Sequence, residues 1–598
     1  MIVTEAQIPA VTETLSNFGT WVVDTETTGL RPYHGDVPFS VGIYAGSEWY
    51  YFNFLGYEGE DVPVLTPEMV KHLFRLPTRI VFHNAKFDLS MLKNVGIEVP
   101  DETEIYCTMV GERVVAGNDA HSFSMDDIAP KYGYAKDDAV ERYIADNKLF
   151  EDQQVPGKKR KVRNKFYSLV PFDIMAPYCG ADVVATAGIY QGQVKRLMEL
   201  GETALDKQPA VRDLMRQEMD LVKVVWHMEQ KGVLIDREFC RRAVTHYGGK
   251  IAEAEVSFLD MTGKDFKPGS TLYKDIFKDE EWKYTAKGNP SFASKVIEGF
   301  KGEEAQIVKG LRKHKHLMDT YNGFLYHADE EGVIHTNLNQ HQARTGRFSS
   351  SAPNLQNMEK AEGEDLIQEF TPRRAVIPRP GHYLGMIDYR QMEYRMMLDY
   401  AGAHDLIRQV NDGMDVHQAM ADKVGYPRKK VKNANFAILY GSGDKTLAST
   451  LGGTLQEAQD LRRAIYSASP QIAEFVNAVR YHLGRRKGRY VWNWMGRLFW
   501  FKDLGKGYKA PNAIIQGGCA DVVKRAMVRT AKEHFGLMAL CIHDEIVLEI
   551  PNGDTDIVKS VCKIMKDVYK PRNGIILDVE AEWSDVSLAD KKEWTHGY

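Results

Sequence analysis

The 598-residue chain has few cysteines, and no two of them are spaced as Cys-x-x-Cys. Cys107, Cys179, Cys240, Cys519, Cys541 and Cys562 are too scattered for a zinc ribbon or a disulfide framework and read as reduced thiols. No apolar run is long enough to span a bilayer. The opening M-I-V-T-E-A-Q-I-P-A lacks the basic start and apolar core of a signal peptide, so a cytoplasmic protein without a membrane partner is expected. No internal repeat is present. Nor is there an excess of positive charge. The formal net charge is −5, so any path for a polyanion must come from segregated basic stripes. With 43% hydrophobic and 27% charged residues the composition is that of an ordinary globular protein, and the length calls for several domains.

What is present is a spacing. Arg428, Lys432, Phe436 and Tyr440 follow one another at intervals of four in R-K-K-V-K-N-A-N-F-A-I-L-Y-G-S-G. On a helix these positions share one face. Pro427 suits a first helical position and Gly441 an end. Two cations near the helix start can hold phosphates, and two rings further along can stack on a base. The competing reading is an amphipathic helix with solvated charges and buried rings.

Two neighbouring stretches weigh against that reading. D-Y-R-Q-M-E-Y-R runs from Asp388 to Arg395 at the end of an apolar strand, Y-L-G-M-I-D. H-D-E, His543 to Glu545, sits between two apolar strands and predicts a β-hairpin with acids at its tip. In this order the three stretches resemble motifs A, B and C of family A DNA polymerases, over roughly residues 206–598.

The resemblance implies a set of roles. Asp388 and Asp544 hold two metal ions with the backbone carbonyl of Tyr389, and Glu545 supports them. Arg428 and Lys432 hold the β- and γ-phosphates, with Lys432 placed to protonate the leaving group. Gln391 and His417 also contact the nucleotide. Phe436 lies against its sugar and base, and Tyr440 stacks at the template position. Glu393 is the steric gate against a ribose 2′-OH. Arg347, in T-G-R-F-S-S, reaches the minor groove at the primer end, and Asn512, Gln516 and His543 contact DNA at the nascent pair. Two departures stand out: Phe348 replaces the usual leucine, and only Arg497 stands where the family has a run of arginines. Between Arg485 and Lys509 basic residues interleave with aromatics that read as core, the basic ones as template contacts.

The first third carries other signals. T-W-V-V-D-T-E-T-T-G-L is an apolar strand on which Asp24 and Glu26 share a face. R-I-V-F leads into H-N-A-K-F-D, where Asn84 can cap a helix bearing Asp88. Y-C-G-A-D puts Tyr178 and Asp182 one helical turn apart. Together these resemble the motifs of the DEDDy 3′–5′ exonucleases. That implies Asp24, Glu26, Asp88 and Asp182 around two metals, with Tyr178 orienting the attacking water. The basic segment P-G-K-K-R-K-V-R-N-K, Pro156 to Lys165, is either a solvated loop or a contact for single-stranded DNA.

The expected architecture is α/β and multidomain. A ribonuclease H-like exonuclease domain with a mixed sheet (1–205) precedes a right-hand polymerase domain (206–598). In the latter an antiparallel palm (331–403 and 505–598) carries a helical thumb (237–330) and helical fingers (404–504). Because the chain begins at the exonuclease, no 5′-nuclease domain is expected and the layout resembles a phage replicative polymerase, which would work in the cytoplasm of a bacterial host. Expected cofactors are two Mg²⁺ at each site, with Mn²⁺ able to substitute. Expected partners are primer-template DNA, dNTPs and replisome proteins such as a helicase-primase or single-strand binding protein, around a monomer. A single-subunit RNA polymerase is disfavoured by the exonuclease motifs and Glu393. A degenerate DNA-binding scaffold is disfavoured by the intact acids.

Overall fold

The computed structural model describes all residues except 121, 136, 159, 204–209, 267–275, 279, 286–287, 360–367, 486–488 and 596–598. The expected domain boundary near 205, the K-P-G-S-T break and part of the 485–509 segment therefore lie outside the described residues.

The first domain is built on a mixed sheet of β1 (Thr20–Thr27), β2 (Pro38–Ala45), β3 (Glu48–Asn53), β4 (Arg79–Phe82) and β5 (Glu104–Cys107), in the order β3-β2-β1-β4-β5. β1 is antiparallel to β2 and parallel to β4. As the central strand it is buried along most of its length, with Trp21, Val22 and Val23 in the core and the acids Asp24 and Glu26 following them. Helix α1 (Ala85–Asn94) follows β4, and the long α2 (Phe172–Thr203) packs against β1 and β2. Asn84 does stand at the N-cap of α1, but its side chain makes no capping bond. It adopts the left-handed conformation (φ 79°), tolerable for asparagine, which removes the extended geometry that side-chain capping requires. The basic segment is not a loop throughout: Val162–Lys165 pairs with Phe150–Gln153 as an exposed hairpin. Arg163 there is paired with Asp152 and lies over the Phe150 ring.

After the first sheet and its helices comes α3 (Ala210–Lys231), followed by Gly232 at φ 58°; it packs against both sheets' cores. The antiparallel pair α4 (Arg237–Thr262) and α5 (Glu303–His327) follows. Next come β6 (His382–Tyr389), α6 (Met392–Ala401), α7 (Val416–Val424), α8 (Arg428–Leu439), α9 (Ala510–Glu533), β7 (Met538–Ile542), β8 (Glu545–Pro551), β9 (Val579–Ser584) and β10 (Lys592–Glu593). The strands form a second sheet, β7-β8-β6-β9-β10, antiparallel throughout. Its core side packs α6, α8, α9 and the neighbouring helices into one apolar cluster.

The two domains share buried polar contacts. Arg113, 3% exposed, donates to the carbonyls of His341 (2.6 Å), Gln342 (3.3 Å) and Gly117 (2.7 Å). Asn118 exchanges two hydrogen bonds with the backbone of Trp500, so a side chain acts as one more rung of that strand. At Gly117 an added Cβ would lie 2.5 Å from the Leu498 carbonyl oxygen. Lys86 pairs with Glu229 and bonds to Asn337 and the Leu338 carbonyl.

Arg497 is where expectation and structure part. It is fully buried, paired with Glu218 and with Asp521 (2.6 Å), while Lys524 pairs with Glu218 (2.7 Å). It therefore faces the interior and not a template phosphate. Burial opposes its charge, but the Asp521 and Glu218 carboxylates outweigh that and keep it firmly protonated. Of the aromatics in this stretch Phe499 and Phe501 are core as expected, Tyr490, Trp492, Trp494 and Trp500 are half-buried, and Tyr508 is exposed. Replacing Arg497 by Met should destabilise the fold by about 3–5 kcal/mol, the usual cost of leaving buried partners unpaired. Urea denaturation of the two proteins measures this; an unchanged midpoint would mean the pair is dispensable.

Candidate active sites

The first site lies at β1. Asp24 and Glu26 project from the same face, and α2 brings Tyr178 and Asp182 over it. Ligand atoms of Asp24, Glu26 and Cys179 all lie within 4.8 Å of one another. Asp88, 2% exposed, accepts a 2.8 Å bond from the Thr25 hydroxyl through Oδ1, while its Oδ2 meets no proton donor. Burial pushes the Asp88 carboxyl up to about 7. A buried carboxylate oxygen without a donor, beside further acids, fits a divalent cation. Tyr178 is buried, and burial together with the charges of Asp182 and Glu26 holds its phenol protonated far above neutrality. It can donate a hydrogen bond but cannot act as a base at working pH. Sequence reasoning read Cys179 only as one of six reduced thiols; its position beside Tyr178 was the available signal.

The second site lies at one end of the inner strands of the second sheet. Asp388 is the next-to-last residue of β6 and the Cα partner of Glu545, which opens β8. His543 and Asp544 form the two-residue turn between β7 and β8, with His543 at φ 58°, as such a hairpin needs. A cavity of about 290 Å³ opens here, lined by Arg347, Asp388, Tyr389, Gln391, Glu393, His417, Phe436, Tyr440, His543, Asp544 and Glu545. A larger cavity, about 800 Å³ between the domains, contains none of the predicted residues.

Helix α8 presents the predicted stripe. Arg428, Lys432 and Tyr440 are exposed and Phe436 is half-buried, while Val431, Ala434 and Ile438 face the core. Pro427 is the N-cap and not the first helical residue, and Gly441 follows the helix end at φ 66°. The rings of Phe436 and Tyr440 are stacked at 6.2 Å. Asn512 and Gln516 sit half-buried in the first turns of α9.

The polar partners matter as much as the predicted residues. Asp415 caps α7, takes a bidentate bond from Arg428 (2.8 and 3.0 Å) and accepts from Gln391. Burial pushes the Asp415 carboxyl up, but the bonds from Arg428, Gln391 and the Gln418 N–H prevail and hold it well below the usual carboxylate range. His417 is buried against Phe436 and takes a 3.2 Å bond with Asn435 at Nδ1. Burial, with Arg428 and Lys432 nearby and only partly offset by Asp415, lowers it to about 4, so it is neutral at pH 7 and offers one N–H.

Glu393 accepts from Arg347 (2.5 Å) and from the Tyr440 hydroxyl (3.2 Å). Arg347 also stands 3.9 Å from Asp544. Burial raises the Asp544 carboxyl despite Arg347 and His543, which again suits a cation partner. Glu545 is 4% exposed and already paired with Arg373 (3.4 Å) and Lys591 (2.6 Å), which favours a supporting part over direct ligation. Sequence reasoning missed Asp415, Arg373 and Lys591: each acts through a partner distant along the chain.

A family model described as DNA polymerase family A matches residues 237–587, and one described as 3′–5′ exonuclease matches residues 1–197. The DNA polymerase I of Chloroflexus aurantiacus is 28% identical over 96% of this chain and 62% of its own length. The DNA polymerase of Mycobacterium phage L5 is 24% identical over 89% of this chain and 87% of its own. The match thus spans 45–62% of the length of the bacterial relatives and most of the phage ones (86–87%). The fold is that of the POL domain of Pol1 from M. smegmatis, solved with DNA primer-template and dNTP, with a TM-score of 0.78, 21% identity and 98% and 99% coverage of the two chains. Proteins of the two matched families use divalent metals. With one model over more than half of its length and the other over its first third, the chain belongs to DNA polymerase family A and carries a 3′–5′ exonuclease domain.

Proposed function

We propose that the protein extends a primer on a DNA template from dNTPs and removes mispaired 3′ ends. The observation that carries this reading is the second site. Asp388 and Asp544 converge from a strand end and a hairpin turn on one cavity with Glu393 and the two rings of the α8 stripe, Phe436 and Tyr440, while Arg428 and Lys432 stand outside its lining. The layout and the phage relatives support a replicative role. Mg²⁺ is the proposed ion, two at each site, with Mn²⁺ as a substitute. Such ions would lower the pKa of the attacking hydroxyl and neutralise charge on the transferring phosphoryl group.

The chain's own residues do the rest. Asp388, Asp544 and the Tyr389 carbonyl hold the ions, and Glu545 with Arg373 and Lys591 stiffens that edge. Arg428 and Lys432 bind the triphosphate from the start of α8, Lys432 supplying a proton to the leaving group. Arg428 must exchange Asp415 for phosphate, or hold both. Neutral His417 donates one hydrogen bond, and Gln391 is fixed by Asp415 and Val416. Arg347, Asn512, Gln516 and His543 contact the duplex. Arg347 must first leave Glu393. In the first domain Tyr178 orients water while Asp24, Glu26, Asp88 and Asp182 hold ions. Primer-template DNA and dNTPs are the partners, with helicase-primase or single-strand binding proteins in the replisome. Extension of a primed single strand with Mg²⁺ and dNTPs, or rNTPs in their place, tests the whole; synthesis only with rNTPs would reverse it.

Two substitutions test the sugar side. Glu393→Ala should admit ribonucleotides, because the block is a clash with one oxygen atom. Single-turnover insertion of ATP against dATP reads it, and an unchanged ratio would remove Glu393 from the gate. Phe436→Tyr should relax discrimination against dideoxynucleotides, since the added hydroxyl can make a hydrogen bond in place of the missing 3′-OH. A charge-assisted bond of ~2–3 kcal/mol changes selectivity ~30- to 150-fold. The ratio of ddNTP to dNTP insertion efficiency in both proteins decides; a change below about threefold, well short of what one such bond gives, would mean the ring does not face the sugar.

A further inference from the structure

The imidazole of His417 has one nitrogen engaged inside the protein and one that is not. Nδ1 stands 3.2 Å from the side-chain amide nitrogen of Asn435 on α8. Nε2 has no hydrogen-bond partner among the described residues, and His417 lines the cavity of the second site. The ring is also held in place. It packs on Tyr394 of α6, at 5.4 Å, and on Phe436, at 5.5 Å, and the residue is 1% exposed.

Asn435 is a destabilising choice at its position. It is 1% exposed, shares the buried side of α8 with Val431, Ala434 and Ile438, and its Oδ1 meets no proton donor. A buried amide oxygen without a donor costs stability, and a leucine of similar size would carry no such cost. What asparagine supplies and leucine does not is the N–H that faces Nδ1. An amide nitrogen can only donate, so the Nδ1 before it is the unprotonated nitrogen of the ring. His417 is neutral at pH 7, because burial, helped by Arg428 and Lys432 and opposed by Asp415, lowers it to about 4. Its single proton is then on Nε2. A carboxylate in place of the amide would do the reverse, drawing the proton to Nδ1 and leaving Nε2 a base.

We propose that Asn435 is a positioning residue for nucleotide binding: its amide fixes His417 in the tautomer with the proton on Nε2, so the ring meets the triphosphate as a hydrogen-bond donor and not as a base. This rests on the reading of His417 as a nucleotide contact. An unprotonated Nε2 would turn a lone pair toward phosphate oxygens, which are acceptors themselves. Asn435 touches no substrate and acts through the ring. The same bond joins α7 to α8, so the donor is held in register with Arg428 and Lys432 at the start of α8.

The test reads the full chain, labelled with ¹⁵N in its histidines, by two-bond ¹H–¹⁵N correlation NMR at pH 7. The signals of His417 are those that vanish in His417→Ala. In the wild type Nδ1 should show the shift of an unprotonated nitrogen and Nε2 that of a protonated one. Asn435→Leu should move the Nδ1 signal, because the donated bond is gone, and Asn435→Asp should carry it into the protonated range. The dNTP dependence of primer extension is measured on the same proteins. Asn435→Leu should raise KM about 3- to 10-fold, the worth of one hydrogen bond, with kcat kept within about twofold. A protonated Nδ1 in the wild type, or an Nδ1 signal unmoved in both folded Asn435 variants, overturns the proposal. The kinetics separate it from the reading beneath it. If His417→Ala raises KM and Asn435→Leu does not, the nucleotide contact stands and the role of Asn435 falls; if His417→Ala does not raise it, both fall.

Discussion

Replacing Asp388 or Asp544 by Ala should lower dNTP incorporation by at least ~10³-fold. Several kcal/mol of charge stabilisation is lost with a ligated cation, and each 1.4 kcal/mol is about tenfold in rate. The two acids are not interchangeable. Asp388 is fixed by a strand paired on both sides, β8 and β9. Asp544 sits in a two-residue turn with Arg347 3.9 Å away. Alanine at Asp544 thus also removes a partner from Arg347, which stays with Glu393. The measurement is single-turnover insertion at saturating dNTP and primer-template, with DNA binding determined separately. Loss of DNA binding in parallel with loss of rate would mean that the acid holds the fold together, whereas rate loss with binding kept places it in the chemistry. Residual synthesis within tenfold of wild type would remove the residue from the catalytic pair.

The second large effect is expected in the other domain. Asp24→Ala with Glu26→Ala should reduce excision of a mismatched 3′ end by at least ~10³-fold on the same metal-charge argument. Primer extension should stay within about twofold, a change worth only ~0.4 kcal/mol. The separation follows from the structure: the two sets of acids stand on different sheets. Degradation of a labelled single strand reads excision directly. Undiminished degradation by the double variant would overturn the exonuclease assignment.

Much of both sites could be read from the chain because their residues are local in sequence. Asp24 and Glu26 share a strand, Tyr178 and Asp182 share a turn, and four stripe residues share α8. Periodicity alone brings such groups together. What could not be read depends on distant segments. Arg497 looks like a template contact in a basic, aromatic stretch. It is instead neutralised by Glu218, which is in α3, and Asp521, which is in α9. No local pattern announces such partners. Asp415 was missed for a similar reason: as a helix cap it looks structural, and only its bidentate bond to Arg428 ties it to the stripe. Asn84 shows the opposite error. A residue type with a strong local preference stood at the expected position, but the backbone took a conformation in which that preference has no outlet.

The contacts of Arg113 and Asn118 bear on how this protein can be redesigned. A chain shortened to begin at α3 would lose both donors to the 341–342 carbonyls and the side-chain rung beside Trp500, and would strand the Glu229 carboxylate without Lys86. The exonuclease domain thus also buttresses the rest of the chain through these contacts. A version without proofreading is better made by changing two acids than by removing two hundred residues. Transplanting a foreign nuclease in its place would require rebuilding a guanidinium, an amide and an ammonium at the same three points of contact.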